Sequence, residues 1–103
     1  MEKAQSAPER NKVLQIIRLH KEKFSEQYGV TKIGIFGSVA KGLTRPGSDV
    51  DVVVEMSRPD LFYLVHIKNE LEEALGSDVD VLHYRKNMNR LLQKRIEQEA
   101  VYV

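Results

Sequence analysis

Two aspartates alternate with valines in an apolar segment of the chain. Asp49 and Asp51 lie in the stretch SDVDVVVE. Side chains two residues apart in a β-strand point to the same side, so a strand here places both carboxylates together. Two ionised carboxylates at such short range repel, and either one takes up a proton or a cation lies between them. The segment therefore predicts a cation site, and oxygen-only ligands favour Mg²⁺ or Mn²⁺.

A third carboxylate, Asp80, lies in the later apolar segment VDVL. If the strand formed by that segment pairs beside the first, Asp80 joins Asp49 and Asp51. Three acids on neighbouring strands suit two metal ions that stabilise the attacking and leaving oxygens of a displacement at phosphorus. Alone, Asp80 is also consistent with a charge that protects an edge strand from aggregation, and an isolated Asp-x-Asp is more often a turn or a solvated strand.

The pair Gly37-Ser38 follows the apolar segment TKIGIF. A strand that ends in Gly-Ser and enters a helix presents free backbone N–H groups and the positive end of the helix dipole to an anion. Glycine lets a phosphate approach the backbone closely, and the Ser38 hydroxyl can donate to a phosphate oxygen. Lys41 and Arg45, further along, are candidate cations for the same phosphate group.

The elements that must position these residues follow from the spacing of apolar residues. Long helices, strands and one short helix are predicted, in chain order, over residues 9–28, 31–36, 39–41, 50–55, 59–75, 79–83 and 87–100. Pro59 is expected near the first position of its helix. The order predicts an α/β (α+β) fold with a small mixed sheet of about three strands and helices packed around it. So small a sheet leads us to expect a homo- or hetero-oligomeric partner on an exposed surface.

Composition limits the class of protein. The 103 residues are 42% hydrophobic and 30% charged, with a net charge of +1 and no cysteine. We expect a flexible N-terminus over residues 1–8 and one domain over residues 9–103. The small net charge argues against nucleic acid as a direct partner. The sequence contains neither a signal peptide nor an apolar run long enough for a membrane span, so a cytoplasmic location is expected.

The charge is unevenly distributed. Residues 1–48 carry 9 basic and 4 acidic side chains, whereas residues 49–103 carry 7 basic and 11 acidic ones. The sign changes within the segment that holds the Gly-Ser pair and the two aspartates. This distribution suits a site that brings a polyanion and metal cations together.

The order and spacing of these residues resemble the DNA polymerase beta-like nucleotidyltransferase superfamily in its minimal (MNT) form. The family pattern is Gly-Ser, ten residues and Asp-x-Asp. Here Gly37-Ser38 is followed by ten residues and then by Asp49-Val50-Asp51. Asp80 matches the third family carboxylate. The resemblance extends over residues 31–103, and the final segment RIEQEAVYV also looks like that of small family members.

Two flanking residues also match the family pattern. Ser48 precedes the acid pair, and Gly42 follows the basic residue Lys41. The family usually has arginine where this chain has Lys41, which keeps the charge but lacks the bidentate fork. The resemblance implies that Lys41 and Ser48 contribute to nucleotide binding.

The resemblance also implies roles for the motif residues. Asp49 and Asp51 would hold the metals and the nucleoside triphosphate. Asp80 would bind one metal and help to activate the acceptor hydroxyl. Gly37 and Ser38 would hold the β- and γ-phosphates of ATP.

By the same resemblance, the expected function is that of an antitoxin, a metal-dependent transferase that moves AMP from ATP to a tyrosine of a HEPN-domain toxin. The chain is short compared with family members that carry extra acceptor domains, so we expect another protein to present the acceptor. Two alternatives remain open: an antitoxin that acts by contact alone, and a transferase for a small-molecule hydroxyl such as that of an aminoglycoside.

Overall fold

The elements follow one another in the predicted order, with one additional strand at the end. The computed structural model describes residues 7–103. Its elements are α1 (Arg10–Tyr28), β1 (Val30–Phe36), α2 (Gly37–Lys41), β2 (Val50–Met56), α3 (Leu61–Leu75), β3 (Val79–His83), α4 (Arg90–Glu99) and β4 (Val101–Tyr102). No helix within these residues is long and apolar enough to cross a membrane.

Most of the predicted flexible N-terminus lies outside the described residues, because residues 1–6 are not among them. Pro8 is buried. Its carbonyl accepts a hydrogen bond of 2.8 Å from the Thr44 hydroxyl. The chain is therefore held against the loop after α2 just before α1 begins.

The four strands form one mixed sheet in the order β3-β2-β1-β4. β2 runs antiparallel to β1 and parallel to β3, and β4 pairs antiparallel with β1. β4 lies opposite Gly34, where a Cβ atom would be 2.8 Å from the Tyr102 Cα atom and would also contact the Val101 carbonyl oxygen. Glycine therefore permits the close approach of the fourth strand, which has too few residues to show a strand pattern in the sequence.

One side of the sheet carries the main hydrophobic core. Residues from β1, β2 and β3 pack there against the apolar stripes of α1 and α3. The fully buried members include Ile17, Phe24, Ile33, Ile35, Val50, Val52, Val54, Ile67 and Leu71. Each such side chain contributes about 1.5–3 kcal/mol by leaving water. This core fixes the positions of β2 and β3, and so it fixes the residues on their opposite side.

The opposite side of the sheet is covered only in part. Phe36, Val53 and Ile96 form a second buried cluster there, beneath α4. Val53 therefore packs under α4 on the same side of β2 as Asp51. At one end of this side, Asp51 stays half-buried and Asp80 stays exposed.

Helix boundaries differ from the predicted ones where caps intervene. Asp60 caps α3 by accepting from the Phe62 N–H at 2.8 Å, so Pro59 precedes the helix rather than occupying its first position. Asn89 accepts from the N–H groups of Leu91 and Leu92, and α4 therefore begins at Arg90 rather than at residue 87. A side-chain cap of this kind marks the true first turn.

Some apolar side chains on the helices point to solvent. Leu19 is 76% exposed and Leu91 is 80% exposed. At about 100° per residue, Leu19 lies about 200° around α1 from the buried Ile17, and Leu91 lies about 140° around α4 from the buried Ile96. Leu61 and Val65 are likewise exposed on α3. The buried stripe of each helix is therefore narrower than its full set of apolar residues.

Candidate functional site

Asp51 and Asp80 occupy neighbouring positions on two parallel strands. They are register partners in the pairing of β2 with β3, while Phe36 is the partner of Asp51 on β1. Neighbouring strands lie about 4.8 Å apart, so the two acids share one side of the sheet at short range. β3 pairs beside β2, which is the arrangement that the grouping of Asp80 with the Asp-x-Asp pair requires.

The surroundings of Asp51 favour its protonated form. Burial raises the pKa of this carboxyl above its ordinary value of 3.8, and the negative charge of Asp80 raises it further. Asp49 and Glu99 act in the same direction, and the guanidinium of Arg95 opposes them. All three predicted carboxylates therefore contribute to one local negative field, which a divalent cation would relieve.

Asp49 lies one residue before β2 and is exposed. Among residues 7–103, no three His, Cys, Asp or Glu side chains are arranged as a complete metal-binding group. Mg²⁺ usually takes one or two carboxylates and completes its shell with water and substrate phosphate. The adjacent pair Asp51 and Asp80 fits that donor set.

Gly37 is packed directly against Asp51. α2 begins at Gly37 rather than at Val39, and Gly37 has a φ of +73°. A Cβ atom there would overlap the Oδ2 atom of Asp51 and would lie 3.3 Å from its Cγ atom. Both the backbone conformation and the contact therefore require glycine, and they place the start of α2 beside the acid on β2.

A carboxylate from α4 joins this group. Glu99 accepts from the Gly37 N–H through Oε1 at 3.2 Å. Its Oε2 atom lies 2.9 Å from the Lys41 Nζ atom, and its Oε1 atom lies 3.3 Å from the Arg95 Nε atom. The hydrogen bond from Lys41 is the main cause that lowers the pKa of Glu99. One carboxylate thus connects the start of α2, its last residue and α4.

The sequence does not identify Arg95 and Glu99 as site residues. Charged residues on a polar helix face are usually solvated surface. The (i, i+4) spacing of Arg95 and Glu99 is an ordinary helix ion pair. Only the packing of α4 beside α2 brings the two side chains to Gly37.

The remaining predicted residues lie on α2 and on the loop after it. Ser38 is half-buried at the second position of α2. Ser48 closes a local turn: its Oγ atom accepts from the Arg45 N–H at 2.9 Å, and its N–H donates to the Arg45 carbonyl at 3.0 Å. Arg45 itself is exposed. The structure gives Ser48 a role in loop geometry, and its contact with nucleotide stays a prediction.

Comparison with known proteins found a matching family model and similar relatives. The family model described as nucleotidyltransferase domain matches residues 17–103. The protein adenylyltransferase MntA of Thermococcus cleftensis is 34% identical over 89 residues, which cover 85% of this chain and 89% of that protein.

Solved structures share the fold. A crystal structure of a toxin–antitoxin complex with AMP-PNP aligns with a TM-score of 0.67 and 22% identity, over 90% of this chain and 70% of the matched chain. A structure of a tri-AMPylated HEPN toxin from Shewanella oneidensis in complex with an MNT antitoxin aligns with a TM-score of 0.59 and 20% identity, over 90% and 66% of the two chains. At these identities the likeness concerns the fold.

Proposed function

This chain belongs to the nucleotidyltransferase domain family, and from that membership we propose that it transfers AMP from ATP to a tyrosine hydroxyl of a HEPN-domain toxin and so acts as an antitoxin. The observation that carries the proposal is the packing of Gly37 against Asp51, with Asp80 as the register partner of Asp51. This packing brings the Gly-Ser turn, which we propose binds the triphosphate, next to the acid pair at one corner of the sheet.

The reaction follows from this arrangement. The tyrosine oxygen attacks the α-phosphorus of ATP, a new P–O bond forms, and the bond to the leaving pyrophosphate breaks. The hydroxyl proton passes to Asp80, whose exposed carboxylate is accessible to an acceptor. Gly37, Ser38 and Lys41 hold the β- and γ-phosphates in line with the attack.

Asp49, Asp51 and Asp80 are the residues that would hold Mg²⁺ or Mn²⁺. When bound, the metal supplies positive charge to the phosphate oxygens and to the attacking and leaving oxygens. Without a cation, burial raises the pKa of Asp51, and the negative charge of Asp80 raises it further. The three acids are therefore better suited to a site that binds metal and nucleotide than to a purely structural role.

The choice of acceptor is supported by the compared proteins. A similar protein is named a protein adenylyltransferase, and a structure of the same fold contains an AMPylated HEPN toxin beside its antitoxin. Transfer to a protein is therefore favoured over transfer to a small molecule.

The direct test is to incubate the full chain with α-labelled ATP, Mg²⁺ and the HEPN-domain protein encoded beside it. Label on a tyrosine of that protein, with loss of its toxicity, is the expected result. The matched negative control is the Asp49→Asn, Asp51→Asn double variant, and a Glu73→Gln variant on the far side of the sheet controls for loss of charge alone.

Two results would contradict the proposal. Inhibition of the toxin without label, unchanged in the double variant, would mean that the chain acts by contact alone. Label on a hydroxylated drug such as an aminoglycoside, with none on the toxin, would mean a small-molecule acceptor.

A further inference from the structure

We propose that Arg95 of α4 is a second phosphate-binding cation of this site, and that Glu99 positions both Arg95 and Lys41 for the β- and γ-phosphates. The inference rests on the proposed function, because it concerns the same nucleotide. It adds to that function two residues that lie outside the Gly-Ser and Asp-x-Asp motif.

The Arg95 guanidinium lies at the corner formed by Gly37 and Asp51. Its Nη2 atom is 3.4 Å from the point that a Cβ atom of Gly37 would occupy. Its central carbon is 5.7 Å from the centre of the Phe36 ring. These two distances, together with the ion pair between Arg95 and Glu99, place this cation where the start of α2 meets the acid on β2.

The hydrogen bonds of Arg95 leave its outer donors available. Within the described part of the chain, its Nε atom pairs with Glu99 and neither Nη atom has an acceptor within hydrogen-bond distance. The planar guanidinium keeps its donors in a fixed fork. With Nε engaged, the Nη groups are oriented before an anion arrives, and a phosphate oxygen is the acceptor that such a fork matches.

Glu99 holds two cations with one carboxylate. Its side chain is only 15% exposed, whereas those of Lys41 and Arg95 are 48% and 50% exposed. The group of three therefore carries one surplus positive charge on its open side. Lys41 presents a single ammonium group, and Arg95 supplies the planar fork that lysine lacks.

Half-exposed ion pairs contribute little to stability, so variants at Arg95 are expected to fold. Lys94 provides a matched control, because it is an exposed basic residue on the same helix and has no ion-pair partner among residues 7–103. Arg95→Gln and Lys94→Gln thus make the same change of charge at neighbouring positions. Arg95→Lys keeps the charge and removes the fork.

The experiment is calorimetric titration of the full-length protein and its variants with AMP, ADP and ATP in Mg²⁺, after far-UV circular dichroism confirms folding. We expect Arg95→Gln to weaken ATP binding about 10-fold, the effect of losing one charged hydrogen bond, and to leave AMP binding unchanged. Arg95→Lys should recover part of the loss, and Lys94→Gln should match wild type. A purely structural role would weaken AMP and ATP equally.

Glu99→Ala tests the positioning role. We expect weaker ATP binding with unchanged AMP binding, because Lys41 and Arg95 lose their common partner. Tighter ATP binding would overturn this role, since it would show that Glu99 competes with phosphate for the Gly37 N–H. Equal ATP affinity in wild type and Arg95→Gln would overturn the inference alone. A wild-type protein that binds no ATP would overturn the proposed function as well.

Discussion

Gly37 and Asp51 are in such close contact that a single added carbon on Gly37 would overlap the Asp51 carboxylate. One residue begins a helix and the other lies within a strand, so their contact fixes the turn that we propose binds phosphate against the acid pair. The ten residues between the Gly-Ser pair and the Asp-x-Asp pair therefore have a structural role. They lead the chain back so that Gly37 contacts Asp51.

Gly37→Ala is expected to lower the free energy of unfolding by more than backbone strain alone explains. A residue with a side chain at positive φ costs about 1 kcal/mol, and the overlap with Asp51 adds about 1–3 kcal/mol. Gly76→Ala is the matched control, because Gly76 has a φ of +68° with no neighbouring atom within 4 Å of an added Cβ. Urea unfolding compares the two variants, and equal losses would show that the contact with Asp51 is unimportant.

Asp51→Asn is expected to stabilise the protein at neutral pH in the absence of metal. The pKa of Asp51 is raised in the folded chain above its ordinary value of 3.8, first by burial and then by Asp80. The protonated Asp51 carboxyl therefore stabilises the folded state fully at pH values below its pKa in the unfolded chain. This stabilisation is lost as the pH rises through its pKa in the folded chain. Asparagine carries no charge at any pH, so the advantage of the variant should disappear below pH 3.8.

Thermal melts in EDTA at several pH values measure this difference between wild type and Asp51→Asn. Asp78→Asn is a suitable control, because Asp78 is an exposed acid just before β3, and it should change stability by no more than about 0.5 kcal/mol. A clear loss of stability in Asp51→Asn at neutral pH would mean that the carboxylate supports the fold.

Gly34→Ala is expected to detach β4 from the sheet. An added Cβ atom would lie 2.8 Å from the Tyr102 Cα atom, and overpacking of this kind costs about 1–3 kcal/mol. Because β4 begins two residues after Glu99, the last residue of α4, loss of its pairing should also loosen the end of α4. The Val103 N–H donates to the Ile33 carbonyl of β1 at 3.0 Å, so its amide hydrogen exchange should accelerate in the variant, whereas exchange in the core strand β2 should change only with global stability. Unchanged protection at Val103 would contradict the prediction.

The element types were predictable from the sequence because apolar periodicity reports the buried side of each helix and strand. The predicted strand over residues 79–83 agrees with β3, and the predicted strand over residues 50–55 agrees with β2 to within one residue. Two features could not be predicted from the sequence in this way. A two-residue strand such as β4 has no periodicity, and side-chain caps such as Asp60 and Asn89 set helix starts that apolar patterns do not define.

The site was predictable as far as its residues lie in one contiguous motif. The sequence places Gly37 and Asp51 at a fixed spacing but leaves the partner of Asp80 undetermined, because strand order depends on how the whole core packs. Arg95 and Glu99 reach the site only through the docking of α4 beside α2. A charged (i, i+4) pair has the same pattern on a solvated helix, so no local signal distinguishes them.

The register pairing of Asp51 with Asp80 predicts a coupling that changes with ligand. In EDTA, each single Asn substitution relieves the same repulsion, so the double variant should gain less stability than the sum of the two single gains. Residues in direct contact give coupling energies on the order of 0.5–3 kcal/mol. Glu73→Gln, an exposed position on α3 across the sheet, provides the control pair with Asp51→Asn and should be additive.

With Mg²⁺ and ATP present, each single Asn variant should instead lose most of the ligand-induced stabilisation, because both carboxylates are needed. Additive effects of Asp51→Asn and Asp80→Asn in both conditions would show that the two acids act separately and that they do not share a metal.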